Sequence, residues 1–207
     1  MNDTWAAENL QTIRTLMERA AVYRRALAPI TLTTGVVGAV AGVTGWTCGL
    51  SSTRGLISFW LAVAVLALAV GLLMVRRQAM RDAEPFWSPP TRRVAQAMLP
   101  SLFIGLVAGL VLLFVPDDED LIWGLVPLWM ALYGSALLAA GFFMARSVKV
   151  VGAGFLGAGT LLICALIVAQ PDLNARLIHA VMGAAFGGIH LAYGAYLYFT
   201  ERKPTKP

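Results

Sequence analysis

The chain has 207 residues, of which 58% are apolar and only 13% charged, and its mean hydropathy is +0.73. A soluble domain carries about 25% charged residues, so a water-soluble enzyme is excluded. The net charge of +5 could indicate nucleic acid, but the positions of the basic residues point to membrane orientation instead.

The charges are clustered. Six stretches, 26–53, 55–75, 94–116, 121–145, 150–171 and 177–200, contain no Asp, Glu, Lys or Arg. Each is at least as long as the ~20 residues, at ~1.5 Å per residue, that a helix needs to cross the hydrocarbon core. The expected fold is all-α: a polytopic bundle of six transmembrane helices at about 27–49, 56–75, 95–115, 122–145, 150–169 and 177–199, forming one domain over 26–200. Residues 201–207 make a short basic tail.

An amphipathic interfacial helix is expected before the first span, with 1–25 on the cytoplasmic side. Over 5–27, Trp5, Leu10, Ile13, Leu16, Met17, Ala20, Tyr23 and Leu27 fall within one face of ~140° at 100° per residue, opposite Glu8, Gln11, Arg14, Glu18, Arg19 and Arg25. Such a helix can lie among headgroups or cover a partner. The segment does not look like a cleaved signal peptide, because the first apolar stretch starts late and runs too long.

With the N-terminus inside, 14 of the 16 basic residues fall in inner segments, and only Arg54 and Arg176 fall outside. The positive-inside rule then places both termini in the cytoplasm, in a plasma membrane of the bacterial inner-membrane type. The 76–93 segment is the one long loop. It holds Arg76, Arg77, Arg81, Asp82, Glu84, Phe86, Trp87, Arg92 and Arg93, and helix is expected to run past Arg81 until the breakers Pro85, Pro89 and Pro90. Phe86 and Trp87 fit an interfacial aromatic belt. The segments 1–25 and 76–93 are the expected places for a cytoplasmic protein partner.

A faint repeat of about 70 residues relates Gly38 and Gly42 to Gly105 and Gly109, and Gly71, Met74 and Arg76 to Gly141, Met144 and Arg146. Small residues four apart recur at Gly38 and Gly42, Gly105 and Gly109, Ala153 and Gly157, Gly154 and Ala158, Gly183 and Gly187, and Ala184 and Gly188. Lipid supplies no hydrophobic force between helices, so close approach at small residues drives association. These faces are expected inside the bundle or between copies of a homo-oligomer.

Two histidines carry what chemistry the spans hold. His179 and His190 are 11 residues apart, three turns and ~20° on an ideal helix, which places them on one face with Gly183, Phe186, Gly187, Tyr193 and Gly194. His190 falls near midplane, where an imidazole needs a partner. Tyr133, Ser135, Thr160 or a backbone carbonyl can supply one, and Tyr193 would line the same site. His179 falls near the outer end, within reach of water. Haem is disfavoured, because two imidazoles ~16 Å apart on one helix cannot clasp one iron.

The Asp117, Asp118, Glu119, Asp120 run is read as a solvated outer turn after Pro116, since its spacing is not that of a calcium loop. Cys48 and Cys164 lie in different stretches and read as packing residues. No catalytic triad, paired aspartates or HExxH motif is visible, so no metal and no cofactor is expected. The leading functional expectation is a non-enzymatic accessory or regulatory bundle. Second comes a permeation or small-ligand protein with a polar site at His190 and Tyr193, and third a haem or redox protein.

Overall fold

The computed structural model describes residues 27–81, 83, 85–115, 119–169 and 174–200. The amphipathic helix over 1–25 and the tail over 201–207 lie outside them. Among the described residues the chain is all-α. The helices are α1 (Leu27–Cys48), α2 (Thr53–Arg81), α3 (Pro89–Leu112), α4 (Glu119–Ala140) and α5 (Arg146–Ala169). The sixth span is composite: α6 (Ala175–Met182), a π-helical segment (Gly183–Ile189) and α7 (His190–Thr200). All six spans are long and apolar enough to cross a membrane.

The helix ends have local causes. α1 stops at Gly49, whose φ of +62° is the left-handed conformation that glycine adopts without a Cβ clash. α3 begins with Pro89, where the missing N–H would be unpaired in any case. Asn174 caps α6, its side chain accepting a hydrogen bond from the Leu177 N–H at 3.0 Å.

Two expected boundaries move. The second helix ends at Arg81 and Ala83 takes φ +52°, so the turn precedes Pro85 instead of waiting for it. The fourth ends at Ala140, not 145, because the chain tightens at Gly141 to Phe143 and Gly141 lies against Lys149 of α5 with no room for a Cβ. At the other end, α4 starts inside the acidic run, at Glu119.

Packing is carried by α1, α4 and the sixth span, whereas α2, α3 and α5 are much less buried. α4 and α5 form the closest hairpin. A Cβ at Gly152 would lie 2.8 Å from the Leu138 nitrogen, and one at Gly159 2.8 Å from the Pro127 carbonyl. α1 meets the sixth span just as closely, Gly38 against Gly187 and Gly42 against Gly183. Close approach of this kind maximises dispersion contact where lipid competes on equal terms for every apolar side chain. The main core joins Leu56 and Trp60 to Trp123, Val126, Met130, Phe155, Ile178 and Met182. A smaller cluster at the basic end joins Leu27, Ala28, Val148, Tyr193 and Leu197.

The small-residue pairs do not all behave as expected. In span 5 the glycines that touch α4 are Gly152 and Gly159, whereas Ala153, Gly154 and Gly157 are exposed; in span 6, Ala184 and Gly188 are exposed. The related pairs of the faint repeat also differ in role. Gly38 and Gly42 receive backbone, but Gly105 and Gly109 receive the Trp129 indole, whose Nε1–H donates to the Gly105 carbonyl at 2.8 Å.

Candidate functional site

The sixth span carries three polar ties, each to a different neighbour. Near its start, His179 is completely buried. The Trp60 indole N–H of α2 donates to its Nδ1 at 3.1 Å, and its Nε2 faces the Leu50 carbonyl at 3.0 Å. Since Nδ1 accepts, the proton must sit on Nε2 and be donated to Leu50, which leaves both nitrogens satisfied. Phe59 meets the ring edge-on with centroids 5.7 Å apart. Gly45 of α1 closes the socket, because a Cβ there would fall into the imidazole. His179 is therefore not a water-facing residue at a helix end.

His190 is 4% exposed. Its Nε2 and the Tyr133 hydroxyl of α4 are 2.7 Å apart. The Tyr133 and Phe155 rings lie 5.4 and 5.5 Å from the imidazole centroid, and Phe186 packs in turn on both of them at 5.5 and 5.3 Å, which are favourable aromatic distances. Of the side chains considered from sequence, Tyr133 is the one used, and the Phe186 carbonyl one turn earlier also lies near the ring. Ser135 faces Ser101 at 3.5 Å, and Thr160 bonds back to the Leu156 carbonyl. The His190 Nδ1 is buried and has no hydrogen-bond partner among the described residues.

Tyr193 does not join that site. Its hydroxyl pairs with Ser147 of α5 at 2.8 Å, in the smaller cluster. Trp60, Gly45 and Leu50 around His179, and Ser147 beside Tyr193, escaped the sequence reading. Their partners lie more than 40 residues away, and none stands out by type or spacing.

The two histidines also do not share a face. His179 points to α1 and α2, and His190 to α4 and α5. The cause is the π segment between them. A π turn is an α turn with one residue added, which rotates everything after it by about 100°. The expected offset of ~20° thus becomes about 80° the other way. Gly183, Gly187 and Gly194 stay against α1, while His190 turns toward Tyr133 of α4 and Phe155 of α5, and Tyr193 toward Ser147 of α5.

His179 has no nitrogen left for a metal or haem, and His190 has one. Among the described residues no three of His, Cys, Asp and Glu gather as a metal site. The arrangement is a set of interhelical hydrogen bonds in an apolar bundle. Comparison with protein-family models, curated proteins and solved structures finds no match for this chain. Its class is the one defined by its own fold, an all-α bundle of six helices long and apolar enough to span a membrane.

Proposed function

We propose that the chain is a non-enzymatic accessory or regulatory component of a bacterial plasma membrane. The observation that supports this reading is the use made of the span histidines. His179 has both nitrogens engaged and His190 binds Tyr133, so the apolar bundle serves as a mount. The working surfaces are then the segments 1–25 and 76–93, on the side that holds both termini and most of the basic residues. Deleting residues 1–22 should leave a folded bundle that no longer co-purifies with its cytoplasmic partner. A truncated protein that keeps every component of the full-length preparation defeats the reading.

The unpartnered Nδ1 of His190 favours a second reading, a small-solute permeation or ligand site near the membrane centre. On that reading His190→Leu abolishes a flux or a ligand affinity and the bundle stays folded. A variant that loses only stability returns His190 to its role as a tie between helices.

A further inference from the structure

Arg76, Arg77 and Arg81 close α2, and Arg92 and Arg93 lie in the early turns of α3; all five are exposed. Among the described residues none of them is paired with a carboxylate. Asp82 and Glu84, which lie between them in sequence, are outside the described residues, and counting both still leaves an excess of three positive charges. The first turn of α3 holds no acid, so its two arginines also face the positive end of the helix dipole uncompensated. The cluster therefore presents an external anion with an uncompensated positive surface.

Depth indicates which one. The uncharged stretch 55–75 fills the ~30 Å hydrocarbon core at ~1.5 Å per residue. The remaining six residues of α2 reach about 9 Å further, through the headgroup layer. Arg76 and Arg77, which directly follow the stretch 55–75, and Arg92 and Arg93, which directly precede 94–116, therefore sit at the level of lipid phosphates, with Arg81 at the outer edge of that layer. Aromatic rings accompany them. Trp87 is 57% exposed beside Phe86, and in the α4–α5 turn at the same end Phe142 is 76% exposed with the Lys149 ammonium 3.6 Å from its ring centroid. Amphipathic rings and stems of this kind belong at the headgroup boundary.

We propose that this end of the molecule binds anionic phospholipid headgroups, with Arg76, Arg77, Arg81, Arg92 and Arg93 as the ligating residues. An acidic protein segment is the less fitting occupant, because four of the five arginines directly border the uncharged stretches 55–75 and 94–116 and so lie within the headgroup layer. The proposal does not rest on the accessory reading.

The test is native mass spectrometry of the full-length protein in mild detergent, offered equimolar phosphatidylglycerol and phosphatidylcholine of matched chains. Phosphatidylglycerol should be retained in clear excess. Since each arginine near an anionic surface is worth about fivefold, the pairs Arg76→Gln with Arg77→Gln, and Arg92→Gln with Arg93→Gln, should each erode that excess, and the fivefold-substituted protein should lose it. Arg54→Gln with Arg176→Gln, at the opposite end, should change nothing. The substituted pairs, checked for native helicity by circular dichroism, keep the test valid if the full variant does not fold. Equal retention of both lipids by the wild type, or an undiminished preference in the folded pair variants, overturns the proposal. So does capture of an oligoglutamate peptide without any lipid preference, which would assign the cluster to an acidic protein.

Discussion

His179 is held by Trp60 and Leu50, so removing its ring strands a buried indole N–H and takes the donor from the Leu50 carbonyl. Leaving buried polar groups unpaired costs about 1–3 kcal/mol, with hydrogen bonds in membranes toward the lower part of that range. His179→Leu should destabilise the bundle by about 2 kcal/mol, followed by thermal unfolding in detergent. Trp60→Phe should cost less, and the double variant should fall short of the sum of the two, because Trp60→Phe has already deleted one of the stranded groups. Strict additivity would mean that the bond contributes nothing. Little of this site could be read from the sequence. Tyr133 was identifiable as a partner for His190 because the stretches 121–145 and 150–171 hold only Tyr133, Ser135 and Thr160 as hydroxyl side chains. The His179 socket depends on Gly49 turning the chain so that a carbonyl meets the imidazole, and a carbonyl leaves no mark in the residue types.

The six helices were readable because burying a charge in hydrocarbon is so costly that uncharged stretches and spans coincide. Their ends were less so. Arg81 is still helical within a loop, and Phe142 and Phe143 are outside a helix although apolar, because backbone hydrogen bonding, not hydropathy, decides where a helix stops. The π segment was invisible for a related reason: wheel arithmetic assumes 3.6 residues per turn throughout. Gly188 is the natural residue to remove, since no heavy atom lies within 4 Å of where its Cβ would be. Deleting it should restore an α-helical turn, rotate α7 by about 100° and separate His190 from Tyr133. Thermal melts should then show His190→Leu destabilising the wild type and having almost no effect in the deletion background. An equal cost in both would show that the π segment does not aim His190.

Taken together, the helices form two close-packed pairs, α1 with the sixth span and α4 with α5; α2 is anchored to them at its start by Leu56, Ile57 and Trp60, and α3 is the least buried span. Close packing was anticipated from the small residues, but which of them face inward was not, because glycine has no side chain to distinguish a protein neighbour from lipid. The exposed Cys48, at the end of α1 away from the basic cluster, offers a native probe of orientation. In a Cys164→Ser protein expressed in intact cells, a membrane-impermeant maleimide should label Cys48 from outside. Labelling only after the membrane is breached would reverse the assignment and place the arginines outside.

The slight burial of α3 has a mechanical consequence. α3 is the least buried span and leans on α4 through an indole seated on Gly105 and Gly109. Spans meet a thinner or thicker bilayer by tilting, and a helix held through side chains, the Trp129 ring and the Ser101–Ser135 contact, tilts more easily than helices locked backbone to backbone. Changes in bilayer thickness should therefore be absorbed first by α3, which would tilt against an α2 fixed at Trp60 and carry Arg92 and Arg93 with it.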